Sequence, residues 1–340
     1  MKSFRKKIRD FIYRFRPLED YYGHGFKRNF RFLMQTKQWT RDKIREYKFL
    51  RLKALLEHAE SKVPYYRELF RQNGIKSADI DSFEDFKRIP PLSKNQVRDN
   101  IDLLKAEDFA SHQPVVAATS GTTGNITTIY RSRELEDFRK AAVWRLFAEN
   151  GVNPGDRRVH INHPGPYIQN APLYEYDRVE NVMSIHLNHV FKRNIAPLIE
   201  AIREFKPSLI YAHPCAFGVI AEYGVDHNIE PIEIPLVVAY SEFIEPHMKA
   251  HLQKMFPGKY VDYYGNRENT IAAWGNSDGK FYEISEYCHL EMEGDEGEGD
   301  ILSTSLHNFA FPLIRYRVGD YIRWIGDADP EVPYPQFELI

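Results

Sequence analysis

Between Pro114 and Asp278, short apolar runs alternate with longer segments of helical period. VVAAT, RRVHIN, SLIYAH, PLVVAY and KYVDYYG read as strands, whereas LEDFRKAAVWRLFAENG, IAPLIEAIREFK, CAFGVIAEYGVDHN and PHMKAHLQKMF read as helices. Two strands lie parallel only if a crossover of roughly a dozen residues joins them, and the intervening helices supply that length. The expected fold is therefore α/β, with layered sheets, much of them parallel, and flanking helices. After Asp278 the helical period stops, and KFYEI, HLEM, DILSTS and LIRYRVGDYIRW follow with turn signals between them. These predict a β-rich subdomain, a distorted barrel beside the α/β layers.

Upstream, residues 40–75 have helical periodicity that breaks at Val63-Pro64, with Gly74 as a stop. SFED, from Ser82, has the form of a capping box, and IPPLSK ends the short helix it opens. The length of 340 residues and a hydrophobic share of 43% suit one large domain or two medium ones with a substantial core. Only two cysteines occur, Cys215 and Cys288, which argues against a disulfide scaffold and for a reducing compartment. No apolar run approaches the ~18 to 20 residues of a membrane span, and the N-terminus lacks the apolar core of a signal peptide. A cytoplasmic protein is expected.

The net charge of −2 conceals an asymmetry: residues 1–53 hold 17 of the 46 Lys and Arg but 5 of the 48 Asp and Glu. Phe4, Ile8, Phe11, Ile12 and Phe15 fall at helical spacing, with Arg5, Lys6, Lys7, Arg9 and Arg16 mostly between them. Residues 1–16 thus read as a basic amphipathic helix within an extension covering residues 1–44. Such a helix either makes weak contact with an anionic membrane surface, at the inner face of the membrane, or packs its stripe on the chain's own acidic body. No recognition module accompanies the charge, so nucleic acid is not an expected partner.

Three stretches carry candidate chemistry. The first, Thr119-Ser120-Gly121-Thr122-Thr123-Gly124, is bare of charge and rich in hydroxyls. It lacks the Gly-Lys pair of a Walker loop, and no GxGxxG occurs in the chain. Its glycines permit successive amides to converge on an oxyanion, but the same composition also makes a solvated turn. The second, YYGNRE, puts Glu268 just beyond a glycine that follows a strand-like run; the third, YRVGD, puts Asp320 after Gly319. Carboxylates so placed suit a metal or ribose hydroxyls, and they are equally at home in ordinary turns.

In this order and at this spacing, the three stretches resemble the adenylate-forming acyl and aryl ligase superfamily, in particular its phenylacetate–CoA ligase branch and the related capsule-biosynthesis ligases. TSGTTG resembles the family's ATP phosphate loop. Tyr264-Gly265-Asn266-Arg267-Glu268 resembles its Tyr-Gly-x-Thr/Ser-Glu motif, and Tyr316-Arg317-Val318-Gly319-Asp320 its Tyr-Arg-Thr-Gly-Asp. Supporting similarity lies in VPYYRELFRQNGI, FEDFKRIPPLSKNQVRDN, FKPSLIYAHPCAFGVIAEY and GDEGEGDILSTSL, so that residues 45–340 read as the family's large N-terminal domain.

The resemblance implies that a small carboxylic acid is activated by ATP with Mg²⁺ as an acyl-adenylate, then transferred to CoA or to an amine. Glu268, as the metal ligand, and Thr123 would be the catalytic pair. Thr119, Ser120, Gly121, Thr122, Thr123 and Gly124 would hold phosphates, while Asp320 would accept the ribose hydroxyls. Tyr240, Ser241, Glu242, Tyr263, Tyr264, Gly265 and Asn266 would line the nucleotide, and Asn162, His163, His213 and Cys215 the acid.

Three departures stand out. Arg267 takes the usual Thr/Ser place. Asn125-Ile126 replace Lys-Pro after the loop, leaving Arg131 or Arg133 as substitute cations. The chain also stops at PQFELI, where the family continues into a hinge and a small lysine-bearing domain, so turnover is expected to be impaired. Oligomerisation is compatible with this reading. The competing readings are a nucleotide- or acyl-binding homologue without turnover and a membrane-surface assembly component. His160, His163, His186, His189 and His213 share no ligand spacing, Cys215 also reads as a packing residue, and Glu291 to Asp300 reads as a solvated hairpin.

Overall fold

A computed structural model of the chain describes residues 10–13, 16–119, 127–162, 172–242, 244, 246–276, 278–327, 329 and 331–340. Most of the predicted amphipathic segment 1–16, all but Thr119 of the glycine loop, and His163 lie outside the described residues. Two compact units result: Met1–Lys27 with Trp144–Tyr263 and Gly275–Asp278, and Arg28–Val143 with Tyr264–Trp274 and Gly279–Ile340. No helix among the described residues is long and apolar enough to cross a membrane.

The second unit opens with helices. Thr40 caps the Arg41–Lys62 helix by accepting from the Lys43 N–H, and the helix ends where Val63, in extended conformation before Pro64, cannot continue it. Pro64 then starts the Pro64–Asn73 helix, and Gly74 closes it in the left-handed conformation at φ 61°. Ser82 caps the short Phe83–Phe86 helix, as its sequence predicts, and Ser93 with Gln96 forms a full capping box on Lys94–Asp99. Leu52, Leu55, Leu56, Tyr66, Phe70 and Phe86 bury their side chains in one core with Phe311 and Tyr316. A hairpin of β1 (Val115–Thr119) and β2 (Thr127–Arg131) adds Ala117 and Ile129 to it. Thr119 pairs with Thr127, so the ends of the glycine loop are fixed opposite one another.

The first unit contains β3 (Arg158–Asn162), β4 (Tyr174–Asp177), β5 (Val182–His186), β6 (Leu209–Ala212), β7 (Leu236–Tyr240) and the start of β8 (Lys259–Gly265). β3 is parallel to both β5 and β6, β6 to β7, and β7 to β8, with β4 antiparallel on the β5 edge. The Lys192–Phe205 helix crosses over with Ile195, Leu198, Ile199 and Ile202 on its buried face, the i, i+3, i+4, i+7 spacing of an amphipathic helix. The Pro214–Asp226 and Pro246–Met255 helices make the next two crossovers. Before β8 the backbone turns so tightly that a Cβ on Gly258 would lie 1.8 Å from the Ile234 carbonyl oxygen, so only glycine fits.

The second unit resumes with β9 (Ala272–Gly275), β10 (Lys280–Glu283), β11 (Cys288–Glu293), β12 (Glu298–Ser305), β13 (Tyr316–Gly326) and β14 (Gln336–Leu339). β11 pairs with β12, β12 with β13, β13 with β14, and β14 with β10, all antiparallel. The expected β-rich region is therefore present. One expectation within it fails: Glu291, read as part of a solvated acidic hairpin, is buried and paired with Arg315. The reason is a partner 24 positions away that β-pairing brings alongside. Arg315 itself is buried and left-handed at φ 51°, an uncommon state for a residue with a Cβ. Its Nε donates to both Glu291 oxygens at 3.2 and 3.0 Å, and its Nη1 to the carbonyls of Lys87 (2.7 Å) and Ile89.

A second buried pair, Lys48 Nζ with Glu283 Oε1 at 2.8 Å, joins the Arg41–Lys62 helix to β10, with the Ser285 hydroxyl donating to the same oxygen. Glu283 is fully buried, so a neutral residue at 48 would strand its charge. We expect Lys48→Met to lower the unfolding free energy by about 3–5 kcal/mol in urea denaturation. Adding Glu283→Gln should recover part of that loss; a single variant as stable as the parent would show the pair to be dispensable.

Candidate functional site

In an open parallel sheet, backbone and side chains at the carboxyl ends of the strands face a shared crevice. That is where the first unit gathers the residues singled out by sequence. Asn162 ends β3, His213 follows β6, Tyr240 ends β7 with Ser241 and Glu242 after it, and Tyr263 lies near the end of β8. Register aligns them: Ile161 is level with Ala212, Ala212 with Ala239, and Tyr240 with Tyr263.

A chain of hydrogen bonds fixes their protonation. The Tyr240 hydroxyl donates to the Ile161 carbonyl at 3.1 Å, since a carbonyl can only accept. His160 Nε2, 3.0 Å from that hydroxyl, must then be the N–H donor to it. His160 Nδ1 is left as an acceptor, so the Asn162 amide 3.2 Å away presents its NH₂. Asn162 Oδ1 is buried and finds no partner among the described residues. Burial, followed by the charges of Arg158 and His213, lowers the His160 pKa to about 3 and keeps the ring neutral. In the sequence His160 is one of several scattered histidines and carries no mark of a role in itself. Its signal was the alternation of β3, which turns it to the same face as Asn162.

Beyond β7 the backbone is strained, with Ser241 left-handed at φ 69°. This turn brings Glu242 to the start of the Pro214–Asp226 helix, where Oε2 accepts the Cys215 N–H at 3.1 Å and Oε1 lies 3.9 Å from His213 Nδ1. A carboxylate there is favoured by the free N–H groups of the first helical turn. The His213 ring packs 4.4 Å from that of Tyr240, centroid to centroid. Burial first and Glu242 second raise the Cys215 pKa to about 11, which holds the thiol protonated and argues against a nucleophile.

The second unit places its two carboxylates in tyrosine brackets. Tyr264 donates to Asp320 Oδ2 at 2.5 Å, and Tyr316 to Glu268 Oε1 at 2.9 Å. Asp320 is exposed, whereas Glu268 is buried. Burial, and after it the neighbouring carboxylate, pushes both tyrosines above their ordinary range, so each remains a donor. The turn between Tyr264 and Glu268 is made by Asn266, whose Oδ1 accepts the N–H groups of Thr270 (2.9 Å) and Ile271 (3.2 Å). Its side chain thus shapes the turn rather than reaching outward.

Arg267 is exposed, and its carbonyl accepts from Arg131 Nη1 at 3.4 Å. The two cations that sequence offered for the missing loop lysine are already paired, Arg131 with Glu136 at 2.8 Å and Arg133 with Asp137 at 3.2 Å. Behind Tyr316, Leu92 of the IPPLSK segment forms a parallel bridge, its N–H donating to Arg315 O at 3.0 Å and its carbonyl accepting from Arg317 N–H at 2.9 Å.

Comparison with known proteins fits this arrangement. No family model matches the chain. The chain is 27% identical over 310 residues to a phenylacetate–coenzyme A ligase of Aromatoleum evansii, covering 84% of this chain and 67% of the ligase. A phenylacetate–coenzyme A ligase of Pseudomonas putida is 26% identical, at 85% and 69% coverage. An indoleacetate–lysine synthetase of Pseudomonas savastanoi is 28% identical over 274 residues, at 72% and 64% coverage. The fold matches 2-hydroxyisobutyryl-CoA ligase, solved with its acyl-AMP and CoA, at a TM-score of 0.63 and 19% identity, over 85% of this chain and 71% of that one. The curated relatives named here are thus two acid–thiol ligases and one acid–amine ligase. The chain spans about two thirds of the length of the phenylacetate–CoA ligases it matches.

The neutral state of His160 has a measurable cost in acid. An unfolded histidine titrates near 6.5 and the folded one near 3, so between these values the unfolded chain holds the extra proton. Stability must therefore fall as pH drops from 6.5 toward 3, by at most about 1.4 kcal/mol per pH unit for this group. His160→Gln should show a shallower acid limb in urea unfolding measured at several pH values. An unchanged slope would contradict the assigned tautomer chain.

Proposed function

We propose that this chain activates a small carboxylic acid with ATP. A carboxylate oxygen of the acid attacks the α-phosphorus, pyrophosphate leaves, and an acyl-adenylate forms. A thiol such as CoA, or an amine, then attacks the acyl carbon and AMP departs. The observation that carries this reading is the pair of tyrosine-bracketed carboxylates, Glu268 and Asp320, in motifs that resemble those of adenylate-forming ligases. The named relatives support it, and they include both a thiol-acceptor and an amine-acceptor enzyme.

In this proposal Thr119, Ser120, Gly121, Thr122, Thr123 and Gly124 receive the β- and γ-phosphates through amides and hydroxyls. Asp320 accepts the ribose hydroxyls, a task suited to an ionised acceptor, and Tyr264 orients it. Tyr240, Ser241, Glu242 and Tyr263 line the base, with Gly265 and Asn266 shaping the turn beside it. Asn162, His163, His213 and Cys215 line the acid. Glu268 offers hard oxygen to Mg²⁺, which would offset phosphate charge when bound; Tyr316, on one of its oxygens, limits how the carboxylate can turn. The work of the chain is positioning and charge neutralisation rather than covalent catalysis.

A nucleotide-binding homologue without turnover is the second reading, favoured by Arg267 in the Thr/Ser place and by the pairing of Arg131 and Arg133. Acid-dependent exchange of pyrophosphate into ATP, run across aryl, acyl and amino acids, separates the two. Exchange with at least one acid is expected; ATP binding without any exchange would favour the second reading, and neither would remove both. Glu268→Ala should weaken Mg-ATP binding by about 1.5–3 kcal/mol, the worth of a charge-assisted contact, in calorimetric titration. Unchanged affinity would refute the metal role.

A further inference from the structure

Away from these carboxylates, the second unit brings together His58, Asp108 and His112, whose potential ligand atoms lie within 4.8 Å of one another. His58 comes from the Arg41–Lys62 helix, and Asp108 and His112 from the short turn Phe109–His112 and the residue before it. Asp108 Oδ1 is 3.3 Å from His112 Nε2 and 3.8 Å from His58 Nε2. Asp108 Oδ1 and His112 Nε2 are both buried, yet neither makes a hydrogen bond among the described residues. The two atoms are close enough to share a third partner but do not satisfy one another by a hydrogen bond. The cost of leaving such atoms unpaired makes an ordinary ion pair a poor account of the arrangement.

We propose that His58, Asp108 and His112 bind a divalent transition metal of the Zn²⁺ type, with water completing a four-coordinate site. Ligand atoms about 2.0–2.2 Å from a tetrahedral zinc lie about 3.3–3.5 Å apart, close to the separations found here. Two imidazoles and one carboxylate select zinc over magnesium, which prefers all-oxygen shells. The side chains of His58, Asp108 and His112 are 15%, 40% and 22% exposed, so the cluster lies just beneath the surface although Asp108 Oδ1 and His112 Nε2 are themselves covered. His58 Nε2 now contacts the Phe309 carbonyl at 2.9 Å. It ligates once its proton moves to Nδ1, and the contact with Phe309 is then given up. The metal would clip the turn that leads into β1 to the Arg41–Lys62 helix. Because β1 ends at Thr119, that clip would fix one root of the glycine loop.

The test uses the whole chain, stripped with chelator and titrated with Zn²⁺ alone against a chromophoric competitor, in the absence of nucleotide. One equivalent of tight binding is expected, with affinity falling at least about tenfold in His112→Ala and in Asp108→Asn, the latter keeping the side-chain shape. Zn²⁺ should also raise the thermal midpoint of the parent but not of either variant. Co²⁺ should give the intense visible bands of a four-coordinate site in the parent and lose them in both variants. Equal zinc uptake by parent and variants, or none by the parent, would overturn the proposal. Mg²⁺ at the same concentration should neither compete nor stabilise.

Discussion

Arg315 is the contact on which the second unit is built. One guanidinium neutralises the buried Glu291 of β11, gathers the carbonyls that end the Phe83–Phe86 region, and immediately precedes Tyr316. Its own N–H donates to Thr304 Oγ1 of β12 at 2.8 Å, so side chain and backbone tie three segments together. The residue makes both sets of contacts from a left-handed backbone conformation. Burial raises the Glu291 pKa against the opposing pull of Arg315, a sign of how dry the pair is. Removing either partner leaves an uncompensated charge in the core, far costlier than losing a surface bridge.

Tyr316 and Asp320 inherit their placement from that anchor. The residue after Arg315 brackets Glu268 through its hydroxyl, and the strand then carries Asp320 to Tyr264. Leu92, on the IPPLSK segment, bridges to the same stretch. The segment between Ile89 and Leu92 therefore matters to the carboxylates without touching them, because its carbonyls and amides complete the shell of Arg315 and Tyr316.

What sequence could show was set by range. The helix break at Val63-Pro64, the stop at Gly74 and the strand–helix alternation all rest on neighbours within a few residues, and each is found where expected. β2 leaves little trace in the sequence, because Thr127 to Arg131 offers only Ile129 and Tyr130 as apolar residues and pairs with β1. The pairing of Glu291 is hidden because its partner lies 24 positions away, and a still longer separation, from His58 to Asp108, hides the His58–Asp108–His112 cluster. The motif carboxylates were legible as a pattern, but their tyrosine partners were not: Tyr264 and Asp320 are 56 positions apart. The Tyr240–His160–Asn162 chain needed the register of β3, β6 and β7 before it had any content.

That chain also sets which way the Asn162 amide is turned. With His160 neutral and its Nε2–H given to Tyr240, the Asn162 NH₂ faces the ring, and the amide turns its oxygen the other way. Asn162 Oδ1 is itself buried and without a partner among the described residues, so it is an acceptor held inside the first unit. A group that satisfies it has to bring a hydrogen, whereas a carboxylate or ester oxygen would meet a like dipole. A single buried imidazole thus decides which end of the amide is left to be satisfied.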